Sequence, residues 1–92
     1  MIYVITYDIP ADKVRNRVAQ FLETKGTRVQ ESVFECALRS GRAMTLAESL
    51  KRIMGEAEGN VRIYQVCADC MRQSVGVGDI INPPEDKGYF LF

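Results

Sequence analysis

Two stretches with helical periodicity alternate with three stretches rich in β-branched and aromatic residues, and few folds accommodate that order in 92 residues. The first, Met1 to Tyr7 (MIYVITY), ends at Asp8-Ile9-Pro10 and predicts a largely buried strand. From Pro10 to Lys25, Val14, Val18, Phe21, Leu22 and the stem of Lys25 recur at helical spacing, with Pro10 near the first turn and Gly26 just past the end. Thr27 to Arg39 contains no Gly or Pro and fits either one bent strand or two short strands turning near Glu31 and Ser32. After Ser40-Gly41, Ala43, Leu46, Ala47, Leu50, Ile53, Met54 and Ala57 predict a second amphipathic helix, ended by Glu56, Glu58 and Gly59. Ser40 could cap it, or Thr45 with Glu48 could form a capping box one turn later. Asn60 to Cys67 (NVRIYQVC) predicts a further strand.

The resulting βαββαβ order predicts an α+β, ferredoxin-like sandwich: a four-stranded antiparallel sheet with both helices on one face and the other face open. Residues 1–79 hold this domain, and residues 80–92 form a C-terminal tail or strand that serves the dimer or a partner. Four apolar residues at the end, Tyr89 to Phe92, do not favour water, so they or Val75 to Val77 are expected to add a strand to a sheet edge, in the same chain or on a second copy. A homodimer follows as an expectation.

Chemistry is narrowed by what is missing. The chain has no histidine, which excludes the Ser-His-Asp triad, the Cys-His nucleophile and His-based zinc sites. Twelve basic residues balance twelve acidic ones, but residues 1–42 carry seven cations and five anions, so a basic face is more readily built from the first half. Eight of the twelve cations are Arg, whose planar fork suits bidentate phosphate contact as well as protein ion pairs. Arg15 and Arg17 fall on opposite borders of the first helix's apolar stripe and can both reach past the core. No apolar run approaches a membrane span and no export signal precedes the first strand, so no membrane partner is expected. With three cysteines, an odd number, the expectation is a reduced cytoplasmic protein.

Asp8 closes the first strand where a side chain can project from a rigid element; it reads equally as a helix cap or as a metal-holding acid. Mg²⁺ is commonly held by one or two carboxylates with water and substrate phosphate completing the shell. One Asp8 per chain becomes two across a two-fold axis. Cys67-Ala68-Asp69-Cys70 has redox or zinc-knuckle spacing, yet Cys36 is the only third thiol and Met71-Arg72-Gln73 looks too short for a helix, so two ordinary thiols at a strand end are expected.

Three segments together carry a family resemblance: Tyr7-Asp8-Ile9-Pro10-Ala11-Asp12-Lys13 with Arg15 and Arg17; Gly26-Thr27-Arg28-Val29-Gln30-Glu31-Ser32-Val33-Phe34-Glu35; and Val61 to Cys70. In order and at this length, they resemble the small CRISPR-associated protein, second in its naming series, that accompanies the CRISPR integrase in spacer acquisition. The resemblance implies a ferredoxin-like homodimer bound between integrase dimers and touching double-stranded DNA along its backbone. It also implies a family described as metal-dependent endonucleases on single-stranded RNA or double-stranded DNA. On that pattern Asp8 is the catalytic, Mg²⁺-holding acid, one from each subunit, and Tyr7, Arg15, Arg17, Arg28, Ser32 and Phe34 bind or help cleave nucleic acid. Ala11 and Val14 stand where the pattern often has a second acid and a further basic residue. Three readings stay open: a scaffold that holds DNA by phosphate contacts, a Mg²⁺-dependent nuclease, and a non-catalytic ferredoxin-like regulatory dimer.

Overall fold

A computed structural model describes residues 1–39, 41–78 and 90–91. The element order is β1 (Ile2–Asp8), α1 (Asp12–Glu23), β2 (Thr27–Gln30), β3 (Val33–Ala37), α2 (Arg42–Met54), β4 (Asn60–Val66), α3 (Ala68–Arg72), β5 (Val75–Gly76) and β6 (Phe90–Leu91). The first four long strands form one antiparallel sheet in the order β2-β3-β1-β4. β1 is central because its β-branched and aromatic residues suit a strand paired on both sides, and it pairs with β4 along its whole length, from Ile2↔Val66 to Asp8↔Asn60. This is the ferredoxin-like arrangement expected from the βαββαβ order.

Both helices cover the same face. Tyr3, Ile5 and Tyr7 of β1 and Phe34 and Cys36 of β3 point into a core completed by Val18, Ala19 and Leu22 of α1 and Leu46 and Leu50 of α2. Period-2 alternation sends Ile2, Val4, Thr6 and Asp8 to the opposite face, which neither α1 nor α2 covers and where Met71 of α3 lines a pocket with Ile2, Glu35 and Ala37. There they share registers with Ala37, Glu35 and Val33 of β3 and with Val66, Tyr64, Arg62 and Asn60 of β4.

The expected turn at Glu31-Ser32 separates β2 from β3, and a bulge between Arg28 and Gln30 adjusts their register. Gly26 serves packing: a Cβ there would lie 2.2 Å from the Glu35 carbonyl oxygen and 2.5 Å from Cys36 Sγ, so only a bare backbone lets α1 hand over to β2 this close to β3.

Three expectations are corrected. The second helix starts at Arg42 with Gly41, in the left-handed conformation, at its N-cap, so Thr45 and Glu48 lie inside the helix and form no capping box. It ends at Met54, with Gly55 at the C-cap, a turn before Glu58-Gly59. Finally, the segment after Cys67 does form a helix, α3, because Met71 is buried and anchors the short turn. Within the chain neither C-terminal apolar segment extends the four-stranded sheet as expected: β5 and β6 pair with each other in parallel as a separate two-stranded sheet; Tyr89 and Phe92 lie outside the described residues. Among the described residues no helix is long and apolar enough to cross a membrane.

Candidate nucleic-acid interface

The strand period divides the sequence-predicted site residues between two faces. Tyr7 is buried on the helix side, whereas Asp8, one residue on, is exposed at the end of β1 on the open-face alternation. The two neighbours therefore serve different surfaces.

On the helix side, β1, α1, β2 and the Glu31-Ser32 turn enclose an open pocket of about 410 Å³ lined by Tyr7, Arg15, Asn16, Ala19, Arg28, Glu31 and Ser32. Tyr7 is tied into its wall twice: its hydroxyl donates to the Glu31 carbonyl at 2.9 Å and its backbone N–H donates to the Ser32 carbonyl at 3.1 Å. Phe34 is fully buried beneath, its ring stacked on Tyr7 with centroids 6.3 Å apart. The Arg28 guanidinium sits over the other aromatic partner, 5.2 Å from the Phe34 centroid, a cation–π contact that fixes its plane. Arg28 also donates to the Tyr7 hydroxyl at 3.4 Å and pairs with Glu23 at 3.7 Å.

Arg15 reaches the same pocket from α1. One of its terminal nitrogens donates to the carbonyls of Ile9 and Pro10 at 3.1 and 3.2 Å, and the other pairs with Asp12. These contacts hold the side chain without burying it: Arg15 remains 41% exposed and Arg28 39%. A guanidinium has five N–H groups in a fixed fork, so an arginine oriented by carbonyls can still present donors to an anion. Arg17, by contrast, is exposed on α1 and lines no wall of this pocket. The structure thus brings together Tyr7, Arg15, Arg28 and Ser32 over Phe34, and leaves Arg17 and Asp8 apart.

Asp8 is not a helix cap. The N-cap of α1 is Ala11, which supplies no side-chain hydrogen bond, and the acid of the first turn is Asp12. Among the described residues, no hydrogen bond or ion pair engages the Asp8 carboxylate. Its backbone is held by a residue that the periodicity reading assigned merely to a helix end. Gly59 has φ +116°, and a Cβ on it would lie 2.2 Å from the Asp8 carbonyl oxygen and 2.9 Å from Ile9 Cα. The sequence signal was a glycine directly before a strand, which often marks close approach of another backbone. Arg62, also overlooked, is exposed on β4 opposite Thr6, one alternation step from Asp8 on the same face.

For a divalent cation, one chain offers Asp8 alone: among the described residues no group of three or more His, Cys, Asp or Glu is placed to hold a metal. The donor set fits Mg²⁺ only where a second copy contributes another Asp8.

The sequence family described as "CRISPR associated protein Cas2" matches residues 1–74. A curated relative from Chloroflexus aurantiacus, named CRISPR-associated endoribonuclease Cas2 1, is 42% identical over 93 aligned positions spanning 100% of this chain and 98% of its own. Among solved structures, Streptococcus pyogenes Cas2 superposes with a TM-score of 0.65 at 29% identity over 73% of this chain and 87% of its own. A chain of a partial Cas6-RT-Cas1–Cas2 complex gives 0.70 at 32% identity, covering 79% and 86%.

Proposed function

The chain belongs to the Cas2 family of CRISPR-associated proteins, and from that premise we propose that it acts in spacer acquisition as a homodimer that binds duplex DNA through its phosphates and holds the CRISPR integrase on it. The observation that carries this reading is the pair of half-exposed guanidinium groups, Arg15 and Arg28, fixed by protein contacts around one pocket. Arginines held in this way meet a phosphate with little further loss of side-chain freedom. Arg17 is exposed on the same helix as Arg15 but on its opposite border, and offers a second, separate phosphate contact. The structural likeness to a chain from a Cas1–Cas2 complex supports the integrase as partner, and residues 80–92 are the segment we assign to docking it. The sheet face that α1 and α2 leave open, with half-buried Ile2 and Val4 and the exposed Tyr64, supports a second copy as its cover.

The test is duplex binding followed by fluorescence anisotropy against salt. Log affinity is expected to fall linearly with log salt, by about 0.9 per phosphate neutralised. Arg15→Ala, Arg17→Ala and Arg28→Ala are each expected to weaken all sequences alike. A strong preference for one sequence, or unchanged binding in the triple variant, overturns the reading.

A specific observation favours a second reading. Asp8 projects an exposed carboxylate from a rigid strand end, and the Chloroflexus relative is named an endoribonuclease. In a dimer, the two Asp8 carboxylates would hold Mg²⁺, which when bound supplies a polarised water and neutralises phosphate charge for cleavage of single-stranded RNA or double-stranded DNA. Asp8→Asn separates the readings: metal-dependent cleavage lost together with spacer acquisition supports the nuclease, and acquisition retained supports the scaffold.

A further inference from the structure

The face and helix contacts above make no use of Cys67 and Cys70. Both side chains are exposed, whereas Cys36 is buried in the core. The turn that leaves β4 and enters α3 brings the two sulfur atoms to 3.0 Å, and the Cys70 backbone N–H donates to Cys67 Sγ at 3.2 Å. Closing the sulfur–sulfur gap to a bond of about 2.0 Å takes roughly 1 Å of sulfur travel, which side-chain rotation supplies without moving the buried Met71 anchor.

We propose that Cys67 and Cys70 are a two-electron redox site, converted by small-molecule disulfides into an intrachain disulfide and restored by small thiols. The sulfurs are unequal in the way the reaction needs. Hydrogen bonds from the Cys70 thiol and the Cys70 backbone N–H, helped by the Arg72 charge, lower the Cys67 pKa, while that same contact raises Cys70. Cys67 is therefore the attacking thiolate and Cys70 the resolving thiol. In the first step Cys67 Sγ bonds to one sulfur of the small disulfide, whose S–S bond breaks and releases one thiolate. In the second, Cys70 gives its proton to solvent and its sulfur attacks Cys67 Sγ, expelling the second thiolate. The chain loses two protons and two electrons; the small disulfide gains both and leaves as two thiols.

The site lies at the end of β4 paired with Ile2, six registers from the Asn60 end that faces Asp8, or roughly 20 Å along the strand. It joins the sheet to β5 and stands independently of the nucleic-acid reading.

The experiment equilibrates the full chain with graded ratios of oxidised to reduced glutathione, quenches by alkylation and reads the tryptic peptide 63–72, which holds both cysteines. The peptide is expected to pass from two alkyl groups to none, two hydrogens lighter, with Cys36 still reduced. Cys70→Ser is expected to accumulate glutathione on Cys67, and Cys67→Ser, which lacks the sulfur that accepts from the Cys70 backbone N–H, to react more slowly at Cys70; circular dichroism confirms that both variants fold. A peptide that stays alkylated at every ratio, a disulfide between two copies, faster reaction at Cys70, or Zn²⁺ binding that blocks alkylation overturns the proposal.

Discussion

Replacing Gly59 by alanine tests how the end of β1 is held in place. The added Cβ would stand 2.2 Å from the Asp8 carbonyl oxygen and 2.9 Å from Ile9 Cα, both backbone atoms of a central strand end, so nothing flexible can give way. The φ of +116° is itself unfavourable for a side chain, and such conformations cost of order 1–3 kcal/mol. With the backbone displacement added, the expected loss is about 2–4 kcal/mol, a large share of the ~5–15 kcal/mol that holds an ordinary domain folded. For a chain of this size that lowers Tm by roughly 10–25 °C. Gly55→Ala is the matched control, because Gly55 also has positive φ, +56°, yet a Cβ there meets nothing within 4 Å. It should cost about 1–3 kcal/mol, the penalty of its sparsely populated backbone conformation alone. Urea unfolding followed by circular dichroism gives both values. Equal midpoint losses in the two variants would refute the claim that close approach to Asp8, rather than backbone conformation, makes glycine necessary at position 59.

Two further outcomes are expected. Tyr7→Phe removes the hydroxyl that donates to the Glu31 carbonyl and accepts from Arg28, and should cost about 0.5–1.5 kcal/mol in urea unfolding, with faster amide exchange in the Glu31-Ser32 turn. Burial raises the Cys36 thiol above its ordinary value of 9.0, so the folded state retains this proton more strongly than the unfolded chain. The resulting stability is fully present below pH 9 and is lost as pH rises through the higher folded value; Cys36→Ala should flatten that part of the stability–pH curve.

Strand and helix identities were legible wherever periodicity ran uninterrupted: MIYVITY marked the first strand, though it begins at Ile2 and buries only alternate residues, and Val14, Val18, Phe21 and Leu22 mark the inner stripe of α1. Boundaries were less legible, since Thr45 and Glu48 satisfy the capping-box pattern while the backbone was already helical three residues earlier, through a left-handed glycine. The α3 turn was not legible because it rests on one buried side chain, Met71, placed beside Ile2, Glu35 and Ala37, residues distant in sequence. Of the site, Tyr7, Arg15, Arg28 and Ser32 were found as types and positions. Their separation from Asp8 follows from strand alternation, but a linear motif hides it, as it hides a glycine's contact with a backbone fifty residues away.

The peptide bond between Tyr7 and Asp8 joins the recess beside Arg15 and Arg28 to an opposing surface, and that has a consequence for how such a chain can change over generations. Point substitutions can retune either surface while leaving the other alone. Gain or loss of a single codon within β1 cannot: it would exchange inside for outside along the central strand, placing a carboxylate in the core and a tyrosine in solvent. Variation in this segment is therefore confined to exchanges of residue type, and changes of length must be accommodated elsewhere in the chain.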